Sequence, residues 1–500
     1  MKRRDFLAAA SSCLLPLTIN GFGIQSPALW QSMSISGTPV AYGDRVLVLI
    51  YLNGGNDGLN TVIPLNQLAA YNDLRANIAI PENRILRLID NTTMGLHPAM
   101  TGLRDLSNDG KLSIVHSVGY ANPSQSHARS ATIWMTGSDT TQPTPTGWVG
   151  RYLDNRFPGY PTNYPSAQIK SPLAIQIGSL TSMALLGNRQ SMGMAISDPN
   201  TFQQLVGSAP TQPPGDAHCC DAGELISFVR QQQGLAPSYA SEIKRAADAG
   251  RNLAAYPPST EQNELAEQLK VVARLIHGGL QTKIYFVSMG GFDSHAGQVD
   301  SSDTTKGHHA DLLGKLSAAI TSFQQDLKQQ GTEDKVVGMT FSEFGRRANS
   351  NASRGTDHGM AAPVFVFGSS VHHRTIGAVP NLSALSGNAA NRDVPMQVDF
   401  RQIYADVLND WFGTDRTLTN TLLYREFPTI SLFSEIVETV ASGSWTNPAT
   451  WSVGRLPVAS DYVTINTGHT ITVSQTVTVK NVKLQGKIQF TGSYSIKLTS

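Results

Sequence analysis

Residues 45–52 read RVLVLIYL, and residues 53–60 continue the chain as NGGNDGLN. A run that is apolar at nearly every position suits an interior strand covered on both faces of a sheet. The Asn/Asp/Gly-rich continuation is typical of a turn, and its glycines allow a ligand to approach the backbone closely. Because ligands of open α/β sheets bind beyond the carboxyl ends of the strands, Asp57 is a candidate ligand. An ordinary turn uses the same residue types, so this turn alone does not decide between the two readings.

The same pattern recurs from residue 44 to residue 440, where short β-branched runs alternate with helical periodicity. This alternation predicts one layered α/β domain over 44–440. The expected strands are residues 45–52, 111–118, 172–177, 283–288, 335–341 and 363–367. The expected helices are residues 65–75, 126–135, 260–277, 308–328 and 400–411. Ser259 and the acidic residues that follow it are typical of a capped start for the third helix.

A different pattern begins near residue 441. The segment GSWTNPATW at 443–451 is followed by short alternating Val/Thr-rich runs that are separated by Gly, Asn and Ser. We therefore predict a separate all-β module over residues 441–500, which resembles the start of a β-solenoid or of a surface β module. A solenoid buries its core only by stacking several turns, so this module is short for one.

The N-terminus indicates export. Arg3 and Arg4, followed by Asp-Phe-Leu and a modest apolar run over residues 8–17, resemble a twin-arginine signal. That run is far shorter than the roughly 20 residues that span a bilayer, so we do not expect an integral membrane protein. We predict a signal peptide over residues 1–30, recognition by the twin-arginine export machinery, and a periplasmic, cell-surface or extracellular location.

The composition argues against nucleic-acid binding and against a function based on cysteine chemistry. Lys and Arg number 38 against 37 Asp and Glu, which leaves a net charge of +1 and argues against a nucleic-acid binder. The apolar fraction of 40% and the charged fraction of 15% fit a folded globular chain. The three cysteines, Cys13, Cys219 and Cys220, form neither a disulfide framework nor a zinc-type spacing.

Polar clusters also follow other expected strands. The motif SQSHARS at 124–130 opens a helix, where free N–H groups favour a nucleophile or an anion, although a serine there is often only a cap. The loop GGFDSH at 290–295 carries an Asp-x-His pair, which can converge on one metal ion. The segments SEFGRR at 342–347 and TDHGM at 356–360 complete the set. Clusters of Asp, Glu and His at equivalent strand ends predict a shared metal or anion site.

These motifs, in this order and after a twin-arginine leader, resemble the bacterial family called domain of unknown function 1501 over most of residues 44–440. That family is similar to the alkaline phosphatase and sulfatase superfamily, whose members hold two divalent metals beside a Ser, Thr or formylglycine nucleophile. The resemblance implies a mixed, mostly parallel central sheet with helices on both faces. It also implies cleavage of phosphate or sulfate esters.

The resemblance further implies roles for individual residues. Ser126, or less well Ser124, stands at the position of the nucleophile, and Arg129 stands where substrate oxygens would bind. Arg346 and Arg354 are further candidates for binding those oxygens. The implied metal ligands are Asp57, Asp293, His295, Glu343, Asp357 and His358, with His127 as an alternative to His358 beside Asp57 and Glu343. They would hold two divalent ions drawn from zinc, calcium, manganese and magnesium.

The chain also departs from the superfamily pattern. Glu343-Phe344-Gly345 stands where Asp-His-Gly is usual, and the absence of a C-x-P-x-R signature argues against formylglycine. The expected function is an exported metal-dependent hydrolase that acts on a small anionic ester or a polysaccharide. The alternative is a non-catalytic exported protein that keeps the fold for binding or for a role at the cell surface.

Overall fold

The computed structural model describes residues 43–188, 190–208, 236–237, 239–385, 392–433, 436–459 and 461–498. The predicted signal peptide and the three cysteines lie outside these ranges. Within the described part of the chain, no helix combines the length and the apolar composition needed to cross a membrane.

A nine-stranded sheet forms the centre of the main body. In spatial order its strands are β11 (Thr375–Ile376), β5 (Leu112–Gly119), β10 (Ala362–Phe367), β9 (Val336–Phe341), β1 (Val46–Leu52), β8 (Ile284–Met289), β6 (Ala174–Ile177) and β7 (Gly193–Ile196), with β12 (Val398–Asp399) paired to β5. Strand β1 runs parallel to both of its neighbours, and its Leu47 pairs with Ile284 and Val337. Strand β10 runs antiparallel to β5 and β9, so the sheet is mixed and mostly parallel.

The sheet is covered on both faces. All seven residues of β1 are buried, as the apolar run that opens the motif predicts. The helices are α1 (Gly58–Thr61), α2 (Leu68–Leu74), α3 (Thr101–Asn108), α4 (His127–Thr136), α5 (Trp148–Arg156), α6 (Pro199–Ser208), α7 (239–249), α8 (Glu264–His277), α9 (His308–Gln329), α10 (Phe400–Asp406) with its π-helical continuation Val407–Trp411, and α11 (Arg416–Leu422). The predicted α/β class is confirmed.

The helices pack in groups through specific contacts. Helix α9 packs against both α3 and α8. Helices α5 and α10 meet where the rings of Trp148 and Tyr404 stack with centroids 4.1 Å apart. Short 3-10 turns join the elements at Leu65–Gln67, Glu82–Arg84, Met183–Leu185, Ser259–Glu261, Glu333–Lys335, Leu382–Ala384 and Pro448–Thr450.

The third predicted helix begins later than the sequence pattern indicates. Residues Ser259–Glu261 form a 3-10 turn, and Gln262 then adopts the left-handed conformation with φ of 51°. Helix α8 starts only at Glu264, where the side chain of Asn263 accepts a hydrogen bond from the N–H of Ala266. The cap is therefore Asn263, because the left-handed residue interrupts the helix that Ser259 would have started.

A small antiparallel sheet lies beside the glycine-rich turn after β1. It contains β2 (Val62–Pro64), β4 (Asn91–Leu96) and β3 (Leu86–Leu88). The first of these strands pairs Val62 with Leu96. This sheet has no counterpart among the strands expected from sequence.

The C-terminal region consists of small parallel sheets. Its strands are β13 (Ile436–Glu438), β14 (Gly443–Ser444), β15 (Tyr462–Ile465), β16 (Thr470–Val473), β17 (Val477–Val479), β18 (Asn481–Leu484), β19 (Lys487–Phe490) and β20 (Ile496–Leu498). They stack as β13-β15-β18, β14-β16-β19 and β17-β20, which is the rung arrangement of a β-solenoid. The predicted all-β module is thus confirmed. The boundary between 440 and 441 stays a prediction, and the first parallel strand begins at Ile436.

Candidate metal centre

One edge of the central sheet collects the polar motifs. The parallel strands β1, β5, β8 and β9 all end at this edge, which follows from their pairing directions. Strand β10 runs the other way, so the residues that precede it reach the same edge as the residues that follow the parallel strands. This reversal explains why His358, which comes before a strand, lies beside Asp293, which comes after one, and why Asp357 lies beside His295.

Asp293 is the centre of the cluster. Its Oδ1 lies 3.2 Å from Nε2 of His295 and 3.3 Å from Nε2 of His358. Its Oδ2 lies 3.5 Å from Nε2 of His127. The guanidinium of Arg346 also donates to Oδ1, with Nη2 at 2.6 Å. Three imidazole rings from three different segments therefore each turn their Nε2 atom toward the carboxylate of Asp293.

The opposite nitrogen of each ring faces an oxygen atom. These Nδ1 contacts are His127 with Oε1 of Glu343 at 2.7 Å, His295 with Oδ1 of Asp357 at 3.1 Å, and His358 with the carbonyl oxygen of Gln125 at 2.8 Å. Each Nδ1 is placed to donate a hydrogen bond, and that tautomer leaves the lone pair on Nε2. All three rings are thus arranged in the form that binds a metal ion.

The inward nitrogens of the cluster lie close to one another. Nε2 of His295 and Nε2 of His358 lie 2.9 Å apart, and neither can donate to the other when both protons are on Nδ1. The ligand atoms of His127, Asp293 and His358 lie within 4.8 Å of one another. An imidazole and carboxylate set of this kind suits divalent zinc or manganese. The residues therefore fit a divalent metal ion.

The ionisation of the cluster also favours metal binding. Burial raises the pKa of Asp293, but the neighbouring Arg346 opposes this effect and holds the pKa below its ordinary value. Burial likewise raises the pKa of Asp357, and the hydrogen bond from His295 brings it below the ordinary value. Burial lowers the pKa of His358, which keeps that ring neutral and able to bind a cation.

Glu343 contacts the cluster through His127. The carboxylate is completely buried, and it accepts hydrogen bonds from the N–H of Gly54 at 2.9 Å and from the hydroxyl of Ser342 at 3.2 Å. A buried carboxylate behind a histidine ligand fixes the tautomer and orientation of the ring. The role of Glu343 as a direct ligand stays a prediction, and its observed contacts indicate that it orients His127.

The glycine pair after β1 is required by the packing at this edge. Gly54 has φ of 128°, and a Cβ there would lie 2.3 Å from the backbone nitrogen of Asp293. Gly55 has φ of 81°, and a Cβ there would lie 2.4 Å from the ring of Phe344. Only glycine lets the turn lie this close to the loop that carries Asp293.

Asp57 lies in a buried ion pair. Its Oδ2 is 2.6 Å from Nη1 of Arg75, both side chains are inaccessible to solvent, and the amide of Gln298 donates to the same oxygen. Burial raises the pKa of Asp57, but Arg75 outweighs it and holds the pKa below the ordinary value. Within the described residues, Asp57 is not among the ligand atoms that group around Asp293. Its assignment as a ligand stays a prediction, with Arg75 already balancing its charge.

Ser126 lies next to the cluster. It is the exposed N-cap residue of α4, and its hydroxyl makes no capping hydrogen bond. Its neighbours in sequence both contact the cluster, since Gln125 accepts from His358 and His127 faces Asp293. Ser124 is already engaged, because its Oγ accepts from the N–H of Ser126. The role of Ser126, or less well Ser124, as nucleophile stays a prediction.

The candidate arginines differ in what they contact. Arg129 donates to the carbonyl oxygen of Thr140 at 2.6 Å, which directs it toward the loop after α4. Arg346 is buried and donates to the carbonyl oxygens of Gly55 at 2.8 Å and Thr356 at 2.7 Å, in addition to Asp293. Arg346 thus joins the loops of the site. The predicted substrate-binding roles of both residues stay predictions.

Two contacts of the motif at 53–60 were not predicted from the sequence. Arg75 was expected only as the end of a helix, and nothing in its local pattern shows that it would pair with Asp57. His309 is buried, its Nε2 lies 3.0 Å from Oδ1 of Asn56, and burial lowers its pKa to about 4. Asp57 and Arg75 are 18 positions apart and Asn56 and His309 are 253 apart, and neither contact follows from a helical or strand period.

Comparison with known proteins finds one family model. A family model described as "Protein of unknown function (DUF1501)" matches residues 221–425, a segment that contains Asp293, Glu343 and His358. No curated protein matches the chain.

Several solved structures resemble the chain at low identity. A protein in the alkaline phosphatase superfamily from Vibrio parahaemolyticus is 12% identical with a TM-score of 0.31, over 76% of this chain and 72% of that one. A sulfatase from Pseudoalteromonas sp. is 11% identical with a TM-score of 0.31, over 78% and 70%. The alkaline phosphatase of the Antarctic bacterium TAB5 is 9% identical with a TM-score of 0.26, over 66% and 95%.

Proposed function

We propose that this chain is a metal-dependent hydrolase of phosphate or sulfate esters, with His127, Asp293 and His358 as metal ligands and Ser126 as nucleophile. One observation carries the proposal. Three imidazole rings turn Nε2 toward Asp293 while an oxygen acceptor faces each Nδ1. With the proton of each ring on Nδ1, the three Nε2 atoms are available to bind one metal ion beside Asp293.

The residues of the chain divide the chemistry among them. A divalent ion held by this cluster would supply positive charge that favours the ionised serine hydroxyl and the negative charge on a transferring group. Ser126 presents its hydroxyl at the N-terminus of α4, where free N–H groups favour negative charge. Glu343 holds the ring of His127, and Arg346 offsets the charge of Asp293.

The same proposal covers the number of metal ions and the cellular location of the protein. The cluster around Asp293 accounts for one ion, and His295 lies close enough to Asp293 to be a further ligand. The resemblance in the sequence implies a second ion near Asp57 and Glu343, and the ion pair of Asp57 with Arg75 argues against it. We further propose that the protein is exported by the twin-arginine machinery, because its N-terminus resembles such a signal.

The test is hydrolysis by purified protein loaded with zinc or manganese, using 4-nitrophenyl phosphate and 4-nitrophenyl sulfate as substrates. Ser126→Ala should lower kcat/KM by about a thousandfold or more, the size usual for loss of a nucleophile. Ser124→Ala is the matched control and should keep most of the activity. Equal activity of Ser126→Ala and wild type would exclude Ser126 as nucleophile.

A binding role is the alternative, and one observation favours it. Asp57, which the resemblance places among the ligands, is neutralised by Arg75 and leaves a single ligand cluster among the described residues. A protein that binds one structural metal ion and catalyses no reaction would have the same single ligand cluster. Metal-loaded wild type that hydrolyses neither ester class would support this alternative.

A further inference from the structure

Two connections of the chain carry ligand candidates to the metal centre, and a main-chain hydrogen bond joins them. We call residues 290–307, which follow β8, the first loop, and residues 342–361, which precede β10, the second loop. The N–H of Thr356 in the second loop donates to the carbonyl oxygen of Ser294 in the first loop, at 3.0 Å. Ser294 directly follows Asp293 in sequence, so this contact lies one residue from the centre of the cluster.

The side chain of Gln298 joins the same two residues. Its Oε1 accepts hydrogen bonds from the hydroxyl of Ser294 at 3.1 Å and from the hydroxyl of Thr356 at 2.9 Å. Its Nε2 donates to Oδ2 of Asp57. An ionised carboxylate only accepts hydrogen bonds, whereas a hydroxyl can donate, so the amide nitrogen has to face Asp57 and the amide oxygen the two hydroxyls. The contacts therefore fix the orientation of the amide.

These four side chains are buried together. Gln298, Thr356 and Asp57 are each 0% exposed, and Ser294 is 3% exposed. A buried polar group that loses its partner cannot replace it with bulk water, so each of these hydrogen bonds is costly to break. Asp57 is itself held by its ion pair with Arg75. The ion pair thus anchors the amide that joins the two loops.

The main chain of Gln298 is also held at both of its polar groups. Its N–H donates to the carbonyl oxygen of Arg354 in the second loop at 2.8 Å, and its carbonyl oxygen accepts from the N–H of His309 in α9 at 3.0 Å. Because Gln298 cannot shift without breaking these bonds, its side chain is a rigid support for Ser294 and Thr356. The first loop, the second loop and α9 are therefore joined at one residue.

We propose that Gln298 is a positioning residue of the metal centre, which holds Asp293 and His358 at the separation that one cation requires. It acts through Ser294 and Thr356, the neighbours in sequence of residues in the cluster, and its own amide is fully occupied by them and by Asp57. This inference rests on the metal-binding part of the proposed function. Loss of the amide lets the two loops separate, so the folded protein binds the ion less tightly.

The test is Gln298→Met, which keeps an unbranched side chain of similar length and removes both hydrogen-bonding groups. Competition for zinc with a chelator of known affinity should show binding weakened about 10- to 100-fold, the size usual for a residue that orients ligands. Urea unfolding of the metal-free protein measures stability separately. A residue that serves only the stability of the fold would lower the free energy of unfolding and leave the zinc affinity of the folded protein unchanged.

Gln324→Met is the matched control. Gln324 is 3% exposed in α9, and its side chain makes no hydrogen bond to any described residue. It lies about 24 Å along the helix from His308, at the rise of an α-helix. The control should bind zinc with the affinity of wild type.

A double-mutant cycle tests whether Gln298 acts through its neighbours. Ser294→Ala removes one hydrogen bond to the amide oxygen and should weaken zinc binding by less than Gln298→Met does. In the Gln298→Met background the same change should have little further effect, because the oxygen that the hydroxyl contacts is gone.

The outcomes separate this inference from the proposed function. Wild-type zinc affinity in Gln298→Met, or full additivity with Ser294→Ala, would overturn the positioning role and leave the metal centre intact. Wild-type protein that binds no zinc would overturn both. If Gln298→Met does not fold, Thr356→Val carries the test, because it removes one hydrogen bond to the same oxygen and keeps the shape of the side chain. That variant should bind zinc more weakly, and unchanged affinity would overturn the positioning role.

Discussion

Nδ1 of His127 lies 2.7 Å from Oε1 of Glu343, a carboxylate that is completely buried. This contact leaves Nε2 of His127 facing Asp293, at 3.5 Å from Oδ2. The N–H of Gly54 and the hydroxyl of Ser342 hold the carboxylate in place. The orientation of the metal-binding ring therefore depends on the strand-end motifs of both β1 and β9.

Replacing Glu343 should weaken metal binding without abolishing it. Loss of a carboxylate that orients a histidine ligand typically costs about 10- to 100-fold in metal affinity. We expect Glu343→Ala to fall in that range and Glu343→Gln, which keeps an acceptor for His127, to lose less. Competition with a chelator of known affinity measures both, and the exposed Glu82→Gln serves as control. Complete loss of metal in Glu343→Gln would instead make Glu343 a direct ligand.

The Asp57–Arg75 pair should affect stability more than metal content. Removing one partner of a buried ion pair leaves an uncompensated charge and costs about 3–5 kcal/mol. Asp57→Ala should therefore lower the free energy of unfolding of the metal-free protein by this amount, as measured in urea. Its metal content, measured on protein kept below the unfolding transition, should equal that of wild type. A stable variant that has lost metal would show that Asp57 is a ligand.

His295 and Asp357 form a second pair of ring and carboxylate. Because Nδ1 of His295 contacts Asp357 and its Nε2 contacts Asp293, we expect His295→Ala to lower metal affinity more than Asp357→Asn does. The same chelator competition ranks the two variants. His373→Ala, which breaks a histidine contact with Asp90 elsewhere on the protein, is the matched control and should leave the affinity unchanged. Identical affinities for His295→Ala and wild type would exclude His295 from the metal shell.

His116 should make the protein less stable in acid. Burial lowers the pKa of this ring in β5 from 6.5 to about 4. The folded state therefore binds the proton less readily than the unfolded state, and the stability present above pH 6.5 is lost as the pH falls toward 4. The loss between pH 7 and pH 4.5 should be about 2 kcal/mol smaller in His116→Leu than in wild type. Urea unfolding at the two pH values measures it, and an unchanged difference would contradict a buried neutral ring.

The strands of the central sheet are predicted well because each strand is specified by a short, local run of apolar residues. The apolar run of 45–52 became the fully buried β1, and the expected strands at 283–288 and 335–341 became its two neighbours. The motifs at 53–60, 290–295 and 342–347 also follow their strands as expected, because the residues after a strand emerge at the edge of the sheet where that strand ends. The helix expected from residue 260 starts late, because the left-handed Gln262 leaves no signal in a helical pattern.

The candidate site was predictable as a set of motifs but not as a set of contacts. Asp293, His295 and His358 come together as expected, since their loops share one edge of the sheet. The oxygen atom that each Nδ1 contacts could not be predicted from the sequence, because these contacts join residues more than 60 positions apart. The pairing of Asp57 with Arg75 spans only 18 positions, but it joins the turn after β1 to the residue that follows α2, and no local pattern predicts it.

Elemental analysis of the purified mature protein tests the central claim most directly. We predict at least one tightly bound divalent ion per chain after extensive dialysis, and its loss in His127→Ala/His358→Ala. The His373→Ala control should retain the ion. Wild-type protein that stays free of metal after incubation with zinc, manganese, magnesium and calcium would contradict the account and exclude a metal-dependent hydrolase.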